Sequence, residues 1–119
     1  MTNGEICWVE VNTGDVAGAT AFYGELFGWE KGPGDAGFPY QFLKRPGETK
    51  NFGGVMATKP GVPPHWLVYF GTADLDASVK TVTKHGGKAL SPTVTLPQGG
   101  KFAVVADPHG VAFALFQAS

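Results

Sequence analysis

The chain has 119 residues, 43% of them hydrophobic, and a formal net charge of −1. That length suits one compact domain, or two small modules sharing a core. The near-zero charge leaves no electrostatic footprint for nucleic acid or an anionic membrane, and no apolar run is long enough to cross a bilayer. Cys7 is the only cysteine, so no internal disulfide can form, and Met1-Thr2-Asn3-Gly4 has no basic and apolar signal pattern. The expectation is a cytoplasmic protein. Eighteen Gly and nine Pro point to many tight turns and to strands more than to a helix bundle.

Glu5 to Val11 reads as a strand by its β-branched and aromatic content. Period two puts Ile6, Trp8 and Glu10 on one face, and Cys7, Val9 and Val11 on the other, towards the helices. Asn12-Thr13-Gly14 turns the chain. Asp15 then caps a helix whose apolar face is Val16, Ala19, Tyr23, Leu26 and Phe27. Gly28 supplies a left-handed stop. Trp29 to Lys31 reads as a short strand, Gly32 to Gly37 as a loop, and Phe38 to Lys44 as a strand with Pro39 near its start. Arg45-Pro46-Gly47-Glu48 is a turn. Asn51 to Ala57 is the next strand, and its paired glycines predict a bulge or a close approach.

Thr58 to Pro64, with three prolines, reads as a stiff extended linker. His65 to Gly71 is the strongest strand. Thr72-Ala73-Asp74 leads into a helix over Leu75 to His85, with Leu75, Val79 and Val82 as its apolar face and Gly86-Gly87 as its stop. Lys88 to Leu90 reads as a short strand, and Ser91 to Gly100 as a loop or irregular edge. Lys101 to Ala106 and Val111 to Gln117 form a hairpin through Asp107-Pro108-His109-Gly110.

The pattern repeats. Laying Asp15 on Asp74 puts Thr13 on Thr72, Val16 on Leu75, Tyr23 on Val82, Gly28 on Gly87, Val11 on Phe70 and Ile6 on His65. Each half reads strand, helix, three strands, with halves 1–60 and 61–119 of a single domain. One helix cannot cover both faces of such a sheet, so the halves are expected to combine. The fold class is α+β: two βαβββ modules with curved mixed sheets enclosing a cleft for a small molecule.

Gly14-Asp15-Val16, Ala21-Phe22-Tyr23, Leu26-Phe27-Gly28-Trp29, Asp74-Leu75-Asp76, His85-Gly86-Gly87 and Asp107-Pro108-His109-Gly110 occur in an order and spacing that resembles the vicinal oxygen chelate superfamily, the glyoxalase and bleomycin-resistance proteins. The resemblance spans nearly the whole chain. It implies paired βαβββ modules and, at this length, a homodimer whose two chains both build the clefts. It also implies a divalent metal held by His, Gln or Glu from the first and last strands of each module. Carried over, those positions fall on Ile6 or Trp8, on Gly53 or Gly54, on His65 and on Ala114. Only His65 can ligate, so no metal and no cofactor are expected.

The residues expected to face the cleft are Trp8, Glu10, Phe42, Phe52, Met56, His65, Leu67 and Tyr69, a set that suits a flat, largely apolar or aromatic ligand with few polar anchors. Glu10 is a lone acid among apolar neighbours, a setting that suits an acid or base. His85 and His109 read as a helix-end and a turn histidine, and Cys7 as a small buried hydrophobe. The leading expectation is a metal-independent small-molecule-binding protein, similar to the antibiotic-binding resistance members. The alternative is a lyase, isomerase or hydroxylase-like enzyme of specialised metabolism using Glu10, His65 or Tyr69. A third reading is a structural domain with a filled cleft.

Overall fold

The structure is a computed structural model and describes residues 3–36, 38–97 and 99–119. Met1, Thr2, Gly37 of the expected loop and Gln98 of the expected irregular edge lie outside the described residues. The elements run β1 (Ile6–Thr13), α1 (Val16–Phe27), β2 (Glu30–Lys31), β3 (Gln41–Lys44), β4 (Asn51–Ala57), β5 (His65–Gly71), α2 (Leu75–Lys84), β6 (Lys88–Ala89), β7 (Val94–Thr95), β8 (Lys101–Ala106) and β9 (Ala112–Gln117). The chain is a mixed α+β fold that runs βαβββ in its first half and, with the short β7 added, βαββββ in its second. Contacts divide it into two compact units, one of Trp8–Leu67 and the other of Val68–Ser119 with the chain's start up to Cys7.

In the first unit β1 pairs parallel with β4, β4 antiparallel with β3, and β3 antiparallel with β2. A parallel pair needs a crossover, and α1 with the β2–β3 hairpin supplies it. Asp15 caps α1 by accepting from the Gly18 amide at 2.9 Å, and Gly28 ends the helix at φ 75°. Val16, Ala19 and Tyr23 pack with Trp29 and Phe52 on the buried cluster Val11, Leu43 and Val55. Leu26 and Phe27, expected on that face, remain 57% and 52% exposed.

In the second unit β5 pairs parallel with β9, β8 lies antiparallel to β9, and β6 and β7 both pair with β8. Asp74 caps α2 through the Ala77 amide, and the Gln117 side chain accepts from the Leu75 amide. Leu75 is fully buried, and α2 lies on β6, β8 and β9.

Several boundaries differ from the sequence reading. β1 runs to Thr13 instead of Val11, because its ladder to β4 continues to Thr13↔Ala57. β3 starts at Gln41, past Pro39, which has no amide to give a ladder. The expected extended linker contains a turn, with the Val62 amide on the Lys59 carbonyl and Gly61 at φ 83°. α2 ends at Lys84 with His85 as its cap. The left-handed residue is Gly86, at φ 94°, one place before the repeat puts it. Gly87 has a different reason to be glycine: a Cβ there would collide with the Ala106 carbonyl and Val82. Val94–Thr95 forms a short strand inside the segment read as irregular.

Candidate functional site

The register of the first unit fixes which side chains share a face. Glu10 pairs with Gly54, Gly54 with Phe42, and Asn12 with Met56. Paired residues point to the same side of a sheet, so Trp8, Glu10, Asn12, Phe42 and Met56 stand together, opposite Val11 and Leu43. Gly54 leaves room on this face for the ring of Tyr40; a Cβ at Gly54 would occupy that ring's position. The paired glycines therefore have separate causes. Gly54 admits Tyr40, and Gly53 lets the Val9 carbonyl approach.

Tyr40 organises the polar chemistry. The Trp8 indole donates to its hydroxyl at 2.8 Å. An indole can only donate, so the Tyr40 oxygen accepts, and its own proton goes to Glu10. Asn12 Nδ2 donates to Glu10 Oε2 at 2.9 Å. A carboxylate here is the acceptor for both neighbours, which sets the Asn12 amide orientation. Glu10 is only 2% exposed, and Asn12 is also buried. Burial first, and the Glu10 charge second, raise the Tyr40 pKa well above that of an ordinary tyrosine, so Tyr40 stays a donor at any physiological pH. Aromatic rings wall this chain: Phe38 meets Tyr40 at 5.6 Å between ring centroids, Tyr40 meets Phe42 at 5.2 Å, and Phe42 meets Trp8 at 5.8 Å.

The structure thus brings together Trp8, Glu10, Phe42 and Met56 of the expected set, and adds Tyr40 and Asn12. Phe52 is turned away. Lys44 pairs with Asn51 while Leu43 pairs with Gly53, so Phe52 is the extra residue of a β-bulge. The bulge reverses its parity and packs it on the helix side, against Trp29 and under Arg45. Leu67 is buried in the first unit. Tyr69 belongs to the second unit, is 7% exposed, and packs on Phe102. Its carbonyl is in reach of the Cys7 thiol, whose pKa is raised by burial and then by Glu5. His65 is exposed, with Nδ1 2.8 Å from the Pro63 carbonyl. It lines a groove of about 420 Å³ beside α1.

Tyr40 and Asn12 had visible signals. Asn12 is two residues beyond Glu10, and Phe38, Tyr40 and Phe42 alternate. Neither pattern says that the two strands meet through Gly54.

Among the described residues no group of three or more His, Cys, Asp or Glu side chains is placed to hold a metal ion. The positions marked by the resemblance carry Ile6 or Trp8, Gly53 or Gly54, His65 and Ala114. The described residues do not fit a divalent metal of the usual chelating kind.

A mixed α+β chain in which a strand–helix–strands order occurs twice defines the class of fold. A family model described as Glyoxalase/Bleomycin resistance protein/Dioxygenase superfamily matches residues 5–115, and the chain belongs to that superfamily. It is 34% identical over 116 residues to the putative glyoxylase CFP32 of Mycobacterium bovis, covering 96% of this chain and 44% of that protein. It is 30% identical over 138 residues to the anthracycline biosynthesis protein DnrV of Streptomyces peucetius, covering 96% and 47%. The chain spans about half the length of these curated relatives. A methylmalonyl-CoA epimerase structure from Streptomyces coelicolor superposes with a TM-score of 0.70 at 19% identity, over 99% of each chain, and shows the shared fold. Among the described residues no helix is long and apolar enough to cross a membrane.

Proposed function

We propose that the chain binds a flat, largely apolar or aromatic small molecule without a metal, against the face formed by Trp8, Tyr40 and Phe42. The observation that carries this is the Trp8–Tyr40–Glu10–Asn12 chain, half-buried at its two rings and buried at Glu10 and Asn12, set among aromatic rings. The rings supply stacking area, and the remaining lone pair of the Tyr40 oxygen can accept one directional hydrogen bond from a ligand hydroxyl. Among the described residues no three His, Cys, Asp or Glu side chains converge, which supports the metal-independent reading. The name of DnrV, an anthracycline biosynthesis protein, is consistent with a flat aromatic ligand. Tryptophan quenching by a hydroxyanthraquinone tests it. Saturable quenching in the parent, lost in Trp8→Leu, is expected. Equal quenching in both proteins contradicts the proposal.

A second reading is enzymatic: Glu10 takes a proton from a bound ligand while Tyr40 and Asn12 hold its carboxyl group. The burial of Glu10 and its two donors favour Glu10 over His65 and Tyr69 for that task. Glu10→Gln would then abolish turnover while retaining ligand binding.

We extend the proposal to a cytoplasmic homodimer. Leu26 and Phe27 keep more than half their surface exposed, and self-association would cover them. Light scattering gives a dimer mass if this holds and a monomer mass if it does not.

A further inference from the structure

We propose that the groove between α1 and the start of β5 binds a small organic amine in its protonated form, through aromatic walls and two acceptors. The groove holds about 420 Å³ and lies wholly within the first unit. That volume is in the range of about 300–1,000 Å³ typical of small-molecule sites. It touches the Trp8 face only at Asn12, and its other walls come from the end of β1, the helix and the Pro64–Trp66 segment.

Three rings meet there at steep angles. Phe22 lies 5.1 Å from Tyr23 at 81°, and Trp66 lies 5.2 Å from Tyr23 at 64°. Phe22 and Trp66 are 59% and 46% exposed, so these rings offer surface to a visitor and are not spent on the core. Both rings line the groove, and exposed aromatic surface attracts an ammonium group.

The polar lining points the same way. Asp15 uses Oδ1 to cap α1, and Gly18, lacking a Cβ, lets the whole carboxylate sit close to the helix. His65 Nδ1 faces the Pro63 carbonyl. A carbonyl only accepts, so Nδ1 carries the hydrogen, and Nε2 of the neutral ring is an acceptor. Among the described residues no Lys or Arg lines the groove. An anion at this helix start would meet the Asp15 charge, which already occupies the anion-favouring position. A cation with N–H donors meets rings and acceptors together.

Calorimetry with 2-phenylethylammonium, 2-phenylethanol and 3-phenylpropionate separates charge from apolar fit. The ammonium compound is expected to bind at least about tenfold more tightly than the other two. Trp66→Leu should weaken it by a similar factor. Asp15→Asn keeps the helix cap, because Asn caps as well as Asp, and should bring the ammonium compound down to the level of the alcohol. Equal binding of all three probes, no binding of any, or an ammonium affinity unchanged by both substitutions overturns the proposal. Asp15, His65 and Trp66 take no part in the Trp8–Tyr40–Glu10 chain, so failure here is distinguishable from failure of the proposed function.

Discussion

Tyr40 is the residue on which the site turns. Removing its hydroxyl in Tyr40→Phe leaves the Trp8 N–H without its acceptor and takes one donor from buried Glu10. An orphaned buried polar group costs about 1–3 kcal/mol, so urea unfolding should show a loss of that size. A change below about 0.5 kcal/mol would mean that water replaces the hydroxyl at no net cost. Gly54→Ala tests the same contact from the other strand. The added methyl displaces the Tyr40 ring, and overpacking of this kind costs about 1–3 kcal/mol. Hydroxyanthraquinone binding should fall with it, and unchanged stability and binding would place the ring elsewhere. The sequence made Glu10 and Trp8 visible as one strand face, because period two is a local rule. It could not show Tyr40 seated on Gly54, because that contact depends on the register of strands far apart in the chain.

At the scale of elements, caps and turns were legible and edges were not. Asp15, Gly28, Asp74 and Gly110 behave as their residue types demand, since capping and left-handed turns depend on a few neighbouring atoms. Replacing Asp15 with Ala should cost about 0.5–2 kcal/mol, while Asn should cost little. Phe52 shows the opposite case. A bulge is set by how two strands slide against each other, so period two assigned it to the wrong face. The β8–β9 turn carries a pH signature. Asp107 accepts from the Val111 amide at 3.0 Å and the His109 amide at 2.8 Å, and these bonds lower its pKa below that of an ordinary aspartate. Its carboxylate is therefore favoured in the folded state. That stabilisation is present above the unfolded-state pKa and disappears as pH falls through the lower folded value. Asp107→Asn should be less stable than the parent at neutral pH, and the gap should close as pH falls through the lowered folded-state pKa. A gap that persists in acid would deny the carboxylate its role.

For the whole molecule, the recurrence of an Asp-capped helix followed by glycine was legible in the sequence, because each punctuation mark has its own physical cause, and the mixed α+β fold was legible with it. Each unit has one parallel ladder, followed by two antiparallel ladders in the first and three in the second. What this fold does with a ligand is a matter of side chains, and of the chelating positions marked by the resemblance only His65 carries a side chain able to ligate. Calorimetric titration of a hydroxyanthraquinone into protein dialysed against EDTA, repeated after adding Mn²⁺, puts metal-free ligand binding to the most direct test. The same saturable affinity in both titrations, lost in Tyr40→Phe, is the predicted result. Binding that appears only once Mn²⁺ is restored would contradict it.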